Sequence, residues 1–191
     1  PEEFTKGFIP GSINISLDGR FAEWAGSLIS FDKPILLITE KGKEKETLIR
    51  LARVGFSRVI GYAAGGFEAW KNAGEELDII IDVEADELAM DLPFDEKLIV
   101  LDVRKPVEYA DGHIKDALNL PLSELNDPLN LATIEEDQNV YIYCGTGYRS
   151  VIAASLFKRQ GLHNIRNVVG GWEQIKQQKN IPVEKDSSVL N

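Results

Sequence analysis

Cysteine and histidine are scarce in this chain of 191 residues, which contains one cysteine, Cys144, and two histidines, His113 and His163. A single cysteine excludes an internal disulfide. One cysteine and two histidines are also too few to make a closed zinc site of four Cys and His ligands. We therefore expect no bound metal and a free thiol, which suits a reducing compartment.

Basic side chains are also few, because 21 Lys and Arg stand against 31 Asp and Glu, a net charge of −10. Such a chain repels, on average, a phosphate backbone or an anionic membrane. The sequence lacks any apolar run near the roughly 20 residues that cross a bilayer. Its start, PEEFTKGFIPG, has no basic segment followed by an apolar core. We expect a soluble, cytoplasmic protein without nucleic-acid or membrane partners.

The chain contains an internal repeat. The segment 2–17, EEFTKGFIPGSINISL, matches 107–122, VEYADGHIKDALNLPL, and the segment 55–70 matches 161–175. The second pair shares a Gly-Gly-aromatic-Glu signal. Because two copies of one unit follow each other, we predict two domains, residues 1–77 and 78–191, with the boundary near Leu77.

Each unit alternates short β-rich runs with amphipathic stretches, which predicts an α/β fold with a mainly parallel sheet flanked by helices. In the second unit we predict strands at LIVLDV, ALNLP, VYIYC and RNVVGG. Helices or helical turns are predicted at PVEYADG, LSELNDPLNLATI and RSVIAASLFKRQG, the last beginning at about Arg149 or Ser150. Functional sites of such sheets lie at the carboxyl ends of strands, where Cys144 falls.

The loop CGTGYRS, opened by Cys144, joins a predicted strand to a predicted helix. A helix start has backbone N–H groups without partners and a partial positive charge, which stabilise an anion. Gly145 and Gly147 let the loop curl with its amides turned inward. Arg149 adds a positive charge and Ser150 can cap the helix. We therefore expect a stabilised thiolate and a reactive cysteine, rather than a small buried hydrophobe.

These motifs together resemble the rhodanese sulfurtransferases, and the two copies resemble a tandem rhodanese. The resemblance rests on DVR at 102–104, EYADGHIKDALNLP, CGTGYRS and GLHNIRNVVGGW, and covers nearly the whole chain. It implies two rhodanese-like domains that use no cofactor and move sulfur through a cysteine persulfide. The implied donor is thiosulfate or a low-molecular-weight persulfide such as glutathione persulfide, and the implied acceptor is a thiol or cyanide.

The resemblance also implies roles for individual residues. Cys144 would be the catalytic nucleophile, and substrate would be bound by the loop residues Gly145, Thr146, Gly147, Tyr148 and Arg149. Supporting roles would fall to Asp102, Arg104 and Ser150.

The spacing of residues on a predicted helix suggests a structural role for Arg104. Arg104 and Glu108 lie four apart at a predicted helix start, so we expect a structural ion pair, with a supporting charge at the edge of the site as the alternative. Tyr148 lies within the loop and is expected to touch substrate, whereas Trp172 is expected in the core. His113 is matched by Phe8 in the first copy, which favours a turn residue over a general base.

Two other functions fit the same loop. Cysteine phosphatases close a wider loop with five residues between cysteine and arginine, whereas the four residues here, 145–148, suit a single sulfur atom better than a phosphate. A non-catalytic sulfur carrier or interaction module is the other alternative.

The first copy lacks the thiol. Aligning ILLITEKGKEK with VYIYCGTGYRS puts Ile38 or Thr39 opposite Cys144, and long charged side chains replace the small loop residues. We expect this half to be catalytically silent and to serve as a structural or regulatory domain.

The first copy also lacks a counterpart of the strand before DVR, because Pro1 stands opposite Pro106. This suggests a fragment of a longer polypeptide. Tandem rhodanese modules with a silent first copy resemble the C-terminal part of fusions whose N-terminal domain is a metallo-β-lactamase-like persulfide dioxygenase. A plain two-domain rhodanese that lost its N-terminus is the alternative.

Overall fold

The computed structural model of the chain describes residues 1–186. The first half contains four helices and two strands: α1 Glu2–Lys6, α2 Phe21–Leu28, β1 Ile35–Leu37, α3 Glu44–Arg53, β2 Val59–Tyr62 and α4 Gly66–Asn72.

The second half begins with β3 Ile81–Val83, α5 Ala85–Asp91, β4 Leu98–Asp102 and α6 Pro106–Ala110. It continues with β5 His113–Ile114, β6 Leu118–Asn119, a 3₁₀ turn at Leu122–Glu124, and α7 Pro128–Leu131. The remaining elements are β7 Asn139–Tyr143, α8 Tyr148–Arg159, β8 Ile165–Val168, α9 Gly171–Ile175 and β9 Val183–Glu184.

The second half is built on a five-stranded sheet in the order β3-β8-β7-β4-β6, with every neighbouring pair parallel. Its central strand β7, NVYIY, is buried over its last four residues. A near-continuous apolar run of this kind is typical of a parallel strand covered on both faces. The predicted α/β class with a mainly parallel sheet and flanking helices is confirmed.

Alternate residues of the central strands supply two separate cores. Leu101 and Ile142 belong to the core that includes α8, whereas Val100, Tyr141 and Tyr143 belong to the core on the opposite face. This division follows from the two-residue period of a strand, which sends successive side chains to opposite faces. The sheet therefore fixes α8 on one face and α9 on the other.

The sheet of the first half has two parallel strands, β1 and β2. One face packs on a small core that includes Phe21, Leu37 and Leu51. On the other face Leu36 and Ile60 are exposed, and α4 contributes no buried residue within the described part of the chain. The first half is therefore a reduced copy of the unit that the second half builds in full.

The two halves share one core. Phe8, Trp24 and Leu28 of the first half belong to the same buried cluster as Leu101 and Val151 of the second. A polar contact joins the halves as well, since Ser155 Oγ accepts a hydrogen bond of 3.0 Å from the Asn14 amide. The first half therefore helps to hold α8, the helix that follows Cys144.

The structure shows how two predicted helical stretches are arranged. LSELNDPLNLATI, predicted as a helix or helical turns, forms the 3₁₀ turn and the short α7, because Asp127 accepts a hydrogen bond from the Leu129 amide and Pro128 begins a new helix. Helix α8 begins at Tyr148, earlier than the predicted Arg149 or Ser150. No helix within residues 1–186 has both the length and the apolar character needed to cross a membrane.

Candidate active site

Cys144 follows β7 directly and lies at the carboxyl edge of the sheet, as the sequence predicts. Its exposed fraction is 1%. Three loop residues separate it from α8, and Gly147 takes the N-cap position with φ of 104°. Glycine is favoured at that backbone angle, which lets the chain turn back over the sulfur within one short loop.

The loop directs a backbone donor at the thiol. The Gly147 amide donates a hydrogen bond to Cys144 Sγ at 3.1 Å. The same sulfur lies 3.6 Å from Ser150 Oγ, in the first turn of α8. A backbone amide at a helix start favours a negatively charged sulfur, so the geometry suits an anionic nucleophile.

Ser150 does not cap α8, so this prediction was wrong. Its hydroxyl lies inside the first turn, 3.2 Å from Gly147 O and 2.6 Å from Asn167 Oδ1. The helix begins two residues before Ser150, at the Gly147 turn, and this moves Ser150 from the cap into the buried side of the helix. The side chain therefore faces the sulfur and β8.

The Gly170–Gly171 turn packs against the backbone of the loop at the Cys144 carbonyl. The Trp172 amide donates to Cys144 O at 2.7 Å, and a side-chain carbon added at Gly171 would lie 2.3 Å from that oxygen. In the first half a carbon added at Gly66 would lie 2.9 Å from Thr39 O. This shared contact identifies Thr39, and not Ile38, as the counterpart of Cys144.

The charge of Arg149 is compensated by a neighbour. Its Nη1 and Nη2 each lie 2.7 Å from a carboxylate oxygen of Glu108. The hydrogen bonds from Arg149 lower the pKa of Glu108, and the same contact raises the pKa of Arg149. The guanidinium lies over Gly145, where an added side-chain carbon would be 3.3 Å from Nη2. Arg149 thus lies against the loop, and its charge is neutralised by Glu108.

The predicted ion pair between Arg104 and Glu108 was therefore wrong. Arg104 instead pairs with Asp102, with Nε 2.9 Å from Oδ1, and its Nη2 donates to Gly112 O at 2.7 Å. Burial opposes the charge of Arg104, but the hydrogen bonds and charge of Asp102 outweigh it and raise the pKa of the guanidinium. Helix α6 turns Glu108 away toward α8, so the two partners do not meet.

The Asp102–Arg104 pair lies beside the loop, below its surface. Both side chains are buried. Asp102 on β4 is the register partner of Tyr143 on β7, the residue before Cys144. The Arg104 guanidinium stacks 4.8 Å from the ring centroid of Trp172. This buried pair joins the end of β4 to the helix that supports the loop, and a supporting role for both residues stays a prediction.

The aromatic and polar residues of the loop have different surroundings. The Tyr148 hydroxyl donates to Ser16 O at 3.0 Å, and its ring lies against Gly19. Thr146 is exposed at the tip of the loop. Tyr148 therefore joins the loop to the first half, and its predicted contact with substrate stays a prediction.

His113 lies away from the thiol, as a buried residue of β5. Its ring stacks on Tyr109 with centroids 3.6 Å apart, and its Nδ1 lies 2.8 Å from Tyr109 O. These contacts fit the predicted structural role better than that of a base. Within residues 1–186 no three His, Cys, Asp or Glu side chains gather as metal ligands.

A cavity of about 100 Å³ lies between the two halves, next to Arg149. Its walls include Glu23, Trp24 and Ser27 from α2, and Lys105, Ser123 and Arg149 from the second half. The sequence does not indicate these α2 residues, because the repeat relates the two copies to each other but carries no signal for how they pack.

Comparison with known proteins agrees with this geometry. The family model described as "Rhodanese-like domain" matches the chain twice, over residues 1–73 and 84–178. The chain belongs to the rhodanese family. As the repeat predicts, it contains two rhodanese-like domains.

Individual relatives support the same family. A protein named sulfurtransferase from Allochromatium vinosum is 33% identical over 93 residues, which is 49% of this chain and 85% of the relative. The thiosulfate sulfurtransferase PspE of Escherichia coli is 30% identical over 79 residues, 41% of this chain and 75% of the relative. Two further curated relatives are matched over 54% and 60% of their own length. These names support rhodanese-type sulfur transfer in general.

A solved structure shares the fold. The Alr3790 protein from Anabaena superposes with a TM-score of 0.50 at 25% identity, covering 56% of this chain and 82% of that one.

The close approach of Gly171 to Cys144 gives a first prediction. Gly171→Ala should lower the free energy of unfolding by roughly 3 kcal/mol or more, because the methyl group meets a backbone oxygen in addition to the strain of positive φ. Gly161→Ala is the matched control, since it has φ of 92° with nothing within 4 Å, and it should lose only about 1–2 kcal/mol. Urea unfolding measures both, and equal losses would contradict the proposed contact.

The Arg149–Glu108 pair gives a prediction about pH. Because the pKa of Glu108 is lowered in the folded protein, the pair stabilises the fold above the unfolded value of about 4.3, and this contribution is lost as the pH falls through the folded value. Glu108→Gln should therefore destabilise the protein by on the order of 1 kcal/mol at pH 7 and pH 5.

The difference between wild type and Glu108→Gln should then shrink as the pH falls below about 4.3, where Glu108 of the unfolded chain takes up a proton, and it should vanish once the folded carboxylate is protonated as well. Urea unfolding at each pH measures it. A difference that stays constant down to about pH 3 would show that the charge of Glu108 contributes nothing.

Proposed function

We propose that this rhodanese is a sulfurtransferase that moves a sulfane sulfur through a persulfide on Cys144. The observation that carries the proposal is the Gly147 amide, which points at the sulfur of the chain's only cysteine from 3.1 Å. Sulfurtransferase relatives support the reaction class. We propose thiosulfate or glutathione persulfide as donor, a thiol or cyanide as acceptor, and a cytoplasmic location.

The first half-reaction forms the persulfide. The Cys144 thiolate attacks the outer sulfur of thiosulfate, the S–S bond of thiosulfate breaks, and sulfite leaves with the electron pair. The product is a Cys144 persulfide that carries one negative charge on its outer sulfur. The Gly147 amide, which contacts Sγ, and the N-terminus of α8 would stabilise that charge as it moves outward.

The second half-reaction returns the enzyme to its starting state. Cyanide or a thiolate attacks the outer sulfur, the S–S bond of the persulfide breaks, and the Cys144 thiolate leaves with the electron pair. The same helix start that stabilises the attacking thiolate stabilises it as a leaving group. With cyanide the product is thiocyanate.

The width of the loop favours sulfur transfer over phosphate hydrolysis. The Gly147 amide already contacts Sγ at 3.1 Å, and four residues separate Cys144 from Arg149. Arg149, which would bind a phosphate in a phosphatase, is occupied on both outer nitrogens by Glu108. We therefore favour a sulfurtransferase over a cysteine phosphatase.

For the first half we propose a structural role. Thr39 stands where Cys144 stands in the second half, and a threonine cannot form a persulfide. The half instead contributes Ser16 and Gly19 to the surroundings of Tyr148, together with one wall of the cavity beside Arg149. We propose that it positions the loop and shapes access to it.

We also propose the domain boundary near Leu77, with domains 1–77 and 78–191. Strand β3 belongs to the sheet of the second half, and the two family matches leave residues 74–83 between them. A fused N-terminal metallo-β-lactamase-like dioxygenase is a further proposal, and it rests on the resemblance of the tandem to such fusions. The reading frame upstream of Pro1 tests it.

Cys144→Ser should lower thiocyanate formation from thiosulfate and cyanide by at least about a thousandfold, because the nucleophile is removed. Thr39→Ser, at the matching position of the first half, is the control and should keep wild-type activity. Melting curves of both variants establish that the fold is intact. Turnover near wild type in Cys144→Ser would contradict the proposal.

The same assays separate the alternatives. Glutathione persulfide replaces thiosulfate in a second series, and an aryl phosphate is tested under identical conditions. A sulfur carrier would accept one sulfur per chain without repeated turnover. Hydrolysis of the phosphate through Cys144, with no sulfur transfer from either donor, would favour the phosphatase.

A further inference from the structure

A chain of hydrogen bonds that the proposed sulfur transfer does not use runs from the buried Cys144 through the buried Ser150 and Asn167 to Asp82, which is exposed at the surface. Ser150 Oγ lies 3.6 Å from the sulfur and 2.6 Å from Asn167 Oδ1. Asn167 Nδ2 lies 2.8 Å from Asp82 Oδ1. The chain thus joins the first turn of α8 to β8 and β3, and its outer end meets the first half, where Thr5 Oγ1 donates to Asp82 Oδ2 at 2.6 Å.

The carboxylate at the outer end fixes the direction of every hydrogen bond in this polar chain. An ionised carboxylate only accepts, so Asn167 must donate through Nδ2 and turn Oδ1 toward Ser150. The Ser150 hydroxyl has one proton. Its candidate acceptors are Asn167 Oδ1 at 2.6 Å, Gly147 O at 3.2 Å and the Cys144 sulfur at 3.6 Å, and the shortest contact takes the proton.

With its proton committed to Asn167, Ser150 presents lone pairs to the sulfur. It can accept a hydrogen bond from the Cys144 thiol, but it offers none to a thiolate. This opposes the Gly147 amide, which donates to the same sulfur. The two neighbours of Sγ therefore favour different protonation states.

We propose that Asp82 and Asn167 are positioning residues that hold Ser150 as a hydrogen-bond acceptor and so restrain Cys144 in its neutral form at rest. The biological meaning of this restraint rests on the proposed sulfurtransferase role. A smaller thiolate fraction in the resting protein limits oxidation and alkylation of its only cysteine.

Asp82→Asn removes the constraint with almost no change of shape. The new amide can donate to Asn167, which lets the Asn167 amide turn over and frees the Ser150 proton to face the sulfur. Thiolate formation should then shift to lower pH, and alkylation by iodoacetamide at pH 7 should rise about fivefold, the effect of one hydrogen bond. Ultraviolet absorbance of the thiolate against pH provides the second readout.

The variant also removes a negative charge, which by itself favours a thiolate. A double-mutant cycle with Ser150→Ala separates the two effects. If Ser150 transmits the effect, Asp82→Asn has almost no influence in the Ser150→Ala background. An equal shift in both backgrounds would show a charge effect alone and would overturn the proposal, as would no shift in either.

Thr5→Val is the matched control, because it removes the hydrogen bond to the other oxygen of Asp82 and leaves the Asp82–Asn167 contact in place. It should change the alkylation rate less than about twofold. If Asp82→Asn fails to fold, Asn167→Ala tests the same proposal, because it removes the acceptor of the Ser150 proton. It should shift thiolate formation in the same direction, and an unchanged titration would overturn the proposal.

The other charged groups near the site stay constant across these variants. They lie on the elements packed around the loop and around Asp82: Arg149 and Glu108, Asp102 and Arg104, Glu173, and Lys6. All titrations are made on the full chain without a sulfur donor. Failure of sulfur transfer would therefore overturn the proposed function without affecting the result for Asp82.

Discussion

The backbone contact between Gly171 and the Cys144 carbonyl is the constraint on which the loop depends. A side-chain carbon there would come within 2.3 Å of that oxygen, so α9 can begin this close to the loop only at a glycine. The Trp172 amide then bonds the same carbonyl at 2.7 Å. Gly66 and Thr39 repeat the approach in the first half. The loop support is thus part of the fold, and the cysteine is an addition to one copy of it.

Around the sulfur, the formal charges are arranged in neutral pairs. Arg149 is paired with Glu108, and Arg104 is paired with Asp102. Stabilisation of an anionic sulfur is therefore left to short-range donors, of which the Gly147 amide is the one in contact. In our proposal the Ser150 hydroxyl opposes that amide. It lies 3.6 Å from the sulfur, and Asp82 fixes its orientation through Asn167. The protonation state of Cys144 then depends more on whether its neighbours donate or accept hydrogen bonds than on the net charge around it.

Sequence alone located the sheet, the repeat and the position of Cys144, because strand and helix periods and glycine spacing are local signals. It failed for contacts between distant segments. Arg149 meets Glu108 across 41 residues, and Asn167 meets Asp82 across 85, and neither pair has a spacing that predicts it. Arg104 was assigned to Glu108 by helix spacing, whereas burial directed it to Asp102. The cap at Ser150 failed for a local reason, since the Gly147 turn starts the helix earlier.

The most direct test of the account is the intact mass of the protein after incubation with thiosulfate and removal of the donor. Because the chain has one cysteine, any persulfide must lie on Cys144. We predict a mass gain of one sulfur atom, located to the peptide that contains Cys144 and lost on addition of cyanide with release of thiocyanate. An unchanged mass with both thiosulfate and glutathione persulfide, in protein that is folded and reduced, would contradict the central claim.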